Sequence, residues 1–191
     1  RGVRIVSDPA ETPESSVLVI RSHGVPQSVY DTIQARGIRH CDATCPFVAK
    51  IHRIVATHSA EGATVLIAGN PDHPEVLGIR GHCHGEEYCF HDEAELENLL
   101  VSHPEWDKTP CIMVAQTTFN KTIWKKCEEI AKKVCTNVKI FDTICRATAK
   151  RQEEAISLAQ QCDQMVIVGG RESSNTAKLR DVCAAYCPTL W

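Results

Sequence analysis

Short continuous apolar runs at 17–20, 63–68, 111–115, 138–141 and 165–168 alternate along the chain with longer amphipathic stretches. Those stretches cover 26–35, 47–59, 94–100, 121–134, 149–161 and 176–185. Apolar runs this short, bounded by turn residues, predict strands; the longer 3.6-periodic stretches predict helices. Strands alternating with helices imply βαβ units, parallel sheets and right-handed crossovers, so the predicted class is α/β. With 191 residues there is length for one large or two small domains, and folding at that size buries roughly 70% of the extended surface without staples.

The pattern repeats itself once. Asp42-Ala43-Thr44-Cys45 recurs as Asp142-Thr143-Ile144-Cys145, and Ala49-Lys50 recurs as Ala149-Lys150, all at an offset of 100 residues. Both copies lie between a predicted strand and a predicted helix. Duplicated α/β domains, each delivering one cysteine to a shared point, account for this. A third copy would lie upstream of Arg1.

Composition narrows the partners. A net charge of -3 gives no basic field for nucleic acid or an anionic membrane. No apolar run reaches a membrane span, and the first residues do not form a signal peptide. The chain has no initiator Met and stops just after a predicted helix, so both ends read as cuts in a longer protein. Its 11 cysteines are an odd number, and Cys127, Cys135, Cys162 and Cys183 fall in helix-like stretches where a thiol is a small hydrophobe. Free thiols in a reducing cytoplasm fit better than a disulfide scaffold.

In parallel α/β sheets ligands bind beyond the carboxyl ends of the strands. Those positions here hold Ser22-His23-Gly24-Val25, Asp42 to Cys45, His73-Pro74-Glu75, Gln116-Thr117-Thr118, Asp142 to Cys145 and Ser173-Ser174-Asn175. Cys45 and Cys145 would each start a helix, where the dipole favours a thiolate able to act as nucleophile or metal ligand. Cys41 is a spare thiol, read as one helical turn or less from Cys45. His23 and His73 can donate to a phosphate or bind metal. Thr117, Thr118 and Ser173 to Asn175 precede helices, which suits either anion binding or plain capping. Glu75, two residues beyond His73, is a candidate proton donor. His82-Cys83-His84 has no partner cluster at zinc spacing and reads as structural, as do His52, His58, His91 and His103.

Taken in order, these motifs resemble the 4-hydroxy-3-methylbut-2-enyl diphosphate reductase (LytB/IspH) family across nearly the whole chain. The resemblance implies three similar α/β domains in a trefoil-like arrangement around a central [4Fe-4S] cluster. It assigns residues 1–45 to a remnant of the first domain, 46–142 to the second and 143–191 to the start of the third. Cys45 and Cys145 would be cluster ligands, Glu75 the catalytic acid, and His23, His73, Thr117, Ser173, Ser174 and Asn175 contacts to an allylic diphosphate. The implied partners are that substrate and an electron donor such as ferredoxin or flavodoxin. Arg146 departs from the family pattern, which has an aromatic residue after the third cysteine. The family's first cysteine and an early histidine would precede Arg1. Two other classes stay open on the residues alone: a hydrolase or redox enzyme using Cys45 or Cys145 as nucleophile, and a phosphate-binding module without chemistry. A Rossmann dehydrogenase does not fit, because no GxGxxG follows a strand.

Overall fold

The computed structural model describes residues 2–191. The elements run β1 (Leu18–Ile20), α1 (Gln27–Ala35), β2 (His40–Asp42), α2 (Pro46–Ala60), β3 (Thr64–Ala68), α3 (Pro74–Arg80), β4 (Glu87–Phe90) and α4 (Glu93–Ser102). They continue with β5 (Cys111–Ala115), α5 (Lys121–Val134), β6 (Val138–Ile140), α6 (Arg146–Ala159), β7 (Met165–Val166), α7 (Ser174–Ala184) and β8 (Thr189–Leu190). The described strands form three sheets: β1-β2, the four-stranded β4-β3-β5-β6, and β7-β8. Every pairing in them is parallel, as the alternating pattern predicts.

The central sheet organises most of the core. All five residues of β3 and all five of β5 are buried, the signature of strands covered on both faces. Leu66, Ala68, Met113 and Ala115 face α4 and α5 through Leu96, Leu100, Trp124 and Ala131, with Trp106 in the same cluster. Val65, Ile67, Ile112 and Val114 face α2 and α3 through Ile51, Val55, Val76 and Ile79. A smaller cluster of Ala159, Val182 and Cys183 joins α6 to α7 beside β7. There Trp191 donates from Nε1 to Gly169 O at 3.3 Å, and the Arg180 guanidinium lies 4.9 Å from its ring.

Three strands and two helices depart from the sequence reading. β2 is exposed at all three residues and β4 is half-buried at the edge of its sheet, so neither carries a clear apolar signal. β8 has only two residues. α3, seven residues long and with Gly78 inside it, is too short for periodicity to reveal. α6 starts at Arg146 rather than 149, which makes Cys145 its N-cap. Cys162 falls in the turn after α6, and Cys41 lies inside β2, so extended chain rather than a helical turn separates it from Cys45.

Candidate active site at the strand ends

The chain leaves β3 for β4 on one side, then returns across β3 to add β5 on the other. β3 and β5 are therefore neighbours whose following helices leave to opposite faces, α3 with one core cluster and α5 with the other. This is a topological switch point, where the loops part and a crevice opens beyond the strand ends. His73, Glu75, Gln116, Thr117 and Thr118 all stand there.

His73 is the N-cap of α3, its Nδ1 accepting the Glu75 amide at 3.1 Å. A neutral ring in this position carries its proton on Nε2, leaving that N–H as a donor. Burial lowers the His73 pKa, and the nearby His23 and Arg21 lower it further. The His23 ring meets His73 edge-on with centroids 5.5 Å apart. Glu75 is 2% exposed. Its Oε1 accepts the Thr117 amide at 2.6 Å and its Oε2 accepts the Thr117 hydroxyl at 2.8 Å. Burial raises the Glu75 pKa, while the two Thr117 bonds and the charge of His23 pull it back in part.

The start of α7 contributes as well. Ser174 Oγ accepts from Gln116 Nε2 at 3.3 Å and shares a 2.8 Å hydrogen bond with Thr118 Oγ1. Asn175 Oδ1 is enclosed with no partner among the described residues, an unusual state for a buried carbonyl. Ser173 caps α7 by accepting the Thr176 amide, so the capping role holds for that hydroxyl. Thr117 and Thr118 do not cap α5; Asn120 does, accepting from Thr122 and Ile123. Gln116 and Thr118 belong to the predicted motif but not to the predicted contact set.

The two repeated cysteines occupy matching positions. Cys45 is the N-cap of α2 and Cys145 the N-cap of α6, both with extended backbone and neither making a side-chain cap bond. The Cys45 amide donates to Ser22 O, two residues past β1, and the Cys145 amide donates to Thr117 O, two residues past β5, each at 3.0 Å. The aspartates match as well. Asp42 accepts from Tyr30 of α1 and from Thr44, and Asp142 pairs with Lys121 of α5. Thr143 Oγ1 accepts the Ala115 amide at 2.8 Å and donates to Ala115 O at 2.6 Å, extending the ladder past β6.

All eleven cysteines are free thiols. Burial pushes Cys83, Cys111 and Cys127 up to about 12 and Cys89 up to about 11, and raises Cys135 and Cys183. These six stay protonated and are poor ligands. Cys45 and Cys145 are partly accessible, sit at helix N-termini, and are tied through their amides to the crevice loops. They suit a thiolate-ligated cluster in donor type and setting. Among the described residues no three His, Cys, Asp or Glu side chains converge as a metal site, so a further ligand would have to join them.

A family model described as LytB protein matches residues 1–191. The chain belongs to the LytB family. Among curated LytB relatives, 4-hydroxy-3-methylbut-2-enyl diphosphate reductase of Alkaliphilus oremlandii is 41% identical over 187 residues, covering 98% of this chain and 64% of that protein. The enzyme of the same description from Caldanaerobacter subterraneus subsp. tengcongensis is 36% identical over 193 residues, covering 100% and 65%. The LytB chain thus spans 64–65% of the length of these relatives. A solved (E)-4-hydroxy-3-methyl-but-2-enyl diphosphate reductase, titled the terminal enzyme of the non-mevalonate pathway, superposes with TM-score 0.65 at 32% identity, covering 97% of this chain and 65% of that one. The Plasmodium falciparum reductase superposes with TM-score 0.86 over 97% of this chain and 58% of that one, a likeness of fold at 22% identity.

Proposed function

We propose that this chain is the larger part of a reductase that removes the allylic hydroxyl of 4-hydroxy-3-methylbut-2-enyl diphosphate. One observation carries the reading: a buried carboxyl, two histidines and Ser174 gather near the switch point, and the repeated cysteines are tied by their amides to the loops of His23 and Thr117. Cys45 and Cys145 would hold a [4Fe-4S] cluster. When bound, that cluster would relay two electrons, one at a time, from an external donor and offer a Lewis-acidic iron to the substrate hydroxyl.

The chain's own residues do the rest. His23 and His73 offer ring N–H donors to the diphosphate, His73 through Nε2 while its Nδ1 keeps the Glu75 amide. Ser173, Ser174 and Asn175 at the start of α7 add donors near the helix dipole. Burial favours the protonated form of Glu75, and the Thr117 hydroxyl at 2.8 Å lies in position to relay its proton. Departure of the hydroxyl as water takes one proton, and the allyl fragment, reduced by two electrons, takes the second at carbon, giving isopentenyl or dimethylallyl diphosphate. No helix among the described residues is long and apolar enough to cross a membrane. A cytoplasmic setting with ferredoxin or flavodoxin as electron donor completes the proposal, with residues 1–45, 46–142 and 143–191 as parts of three domains.

The deciding experiment is anaerobic purification of the full-length protein, iron and sulfide analysis, and assay with the allylic diphosphate. Iron-bound protein that reduces this substrate is expected. A colourless protein alkylated rapidly at one thiol would replace the reading with a cysteine nucleophile.

A further inference from the structure

His52 has no part in the chemistry above, yet it is a polar side chain in a core position. It is 6% exposed, and its Nε2 is enclosed with no hydrogen-bond partner among the described residues. An aliphatic side chain would avoid the cost of leaving that nitrogen unsatisfied. Its shape gives a reason for its presence. The ring stacks on His82 with centroids 4.1 Å apart and planes 26° apart.

The edge of the ring meets two glycines. A Cβ on Gly24 would lie 2.4 Å from His52 Cε1, and one on Gly78 would lie 3.2 Å from His52 Nε2 and 3.4 Å from His23 O. Gly24 also has φ +70, which other residues rarely adopt. Gly24 follows His23 directly, and Gly78 lies in α3, the helix that His73 caps. The loop bearing one diphosphate-binding histidine and the helix bearing the other therefore both rest on one flat ring. His82 holds the same loop from the other side, its Nε2 lying 3.1 Å from Val25 O. Burial, with His82 beside it, pulls the His52 pKa down to about 4. The ring is thus neutral at neutral pH and adds no charge to the clamp.

We infer that His52 is a positioning residue: a flat spacer, seated between Gly24 and Gly78, that sets the separation of His23 and His73 and so the fit of the clamp to a diphosphate. The inference rests on the proposed function and deepens it. A Leu side chain is thicker than an imidazole ring and would part the loop from α3, while Glu75 keeps its two bonds to Thr117.

The test uses the full-length protein with inorganic diphosphate in calorimetry and the allylic diphosphate in turnover. His52→Leu should bind inorganic diphosphate about tenfold more weakly and raise KM by a similar factor, with kcat within about twofold, because misplacement acts on the binding contacts. Iron content and melting temperature establish that the variant is folded. Should it fail to fold, Gly24→Ala presses the same contact from the loop side and should show the same split between KM and kcat. If His23→Ala weakens diphosphate binding but folded His52→Leu or Gly24→Ala does not, the spacer is refuted and the clamp stands. If neither His23→Ala nor His73→Ala alters diphosphate binding, the clamp itself is wrong and the spacer falls with it.

Discussion

Both oxygens of the Glu75 carboxyl are engaged by one neighbour, Thr117, in a setting that is 2% exposed. Burial raises the Glu75 pKa from its ordinary 4.5, so the folded state holds that proton better than the unfolded chain does. Its contribution to stability is therefore complete below about pH 4.5 and is lost as pH rises through the folded pKa. In Glu75→Gln that loss should vanish, so its melting temperature should gain on wild type as pH rises above about 4.5. Turnover should fall about a hundredfold or more while diphosphate binding stays near wild type, the pattern of a lost general acid. Calorimetric melting across pH and steady-state kinetics check the two halves, and wild-type turnover in Glu75→Gln would move the role elsewhere. Glu75 and His73 were legible because chemistry-bearing residues just past a strand stand out in one dimension. His52 and Thr143 were not, since what marks them is a glycine face and a backbone ladder supplied by distant segments.

At the scale of elements, the recurrent unit is a strand, a cysteine loop and a helix, with the loop pinned to the turn after the neighbouring strand. The repeated Asp-x-x-Cys made the unit visible in the sequence. Its pinning was invisible, because Ser22 O and Thr117 O are backbone atoms brought in by sheet pairing. β2 and β4 escaped detection for a related reason, being set by ladder bonds rather than by burial. Removing the Thr143 hydroxyl leaves the Ala115 amide and carbonyl without their partner. Thr143→Val should therefore lower unfolding free energy by about 1–3 kcal/mol in denaturant titration. In the full-length protein, Cys45→Ser or Cys145→Ser should abolish stable iron binding, whereas Cys127→Ser, a buried thiol in α5, should keep it. Normal iron content in Cys145→Ser would overturn the ligand assignment.

Across the whole molecule, the central sheet is covered on both faces, while the two-stranded sheets at either end are not. Val19 of β1 is 63% exposed and Val168 after β7 is 92% exposed, with Phe47 and Val166 also open to solvent. Exposed apolar faces of this kind drive association. Produced alone, these 191 residues should fold the central unit, self-associate in light scattering, and carry neither a stable cluster nor reductase activity. Turnover by the isolated chain comparable to that of the full-length enzyme would refute this. The tryptophans divide along the same line. Trp106 and Trp124 are fully buried in the central cluster, whereas Trp191 sits partly open against the third sheet beneath Arg180. The molecule thus carries its own optical labels, with blue-shifted emission from the centre and red-shifted emission from the end. The order in which the two shift under urea reports which region loosens first.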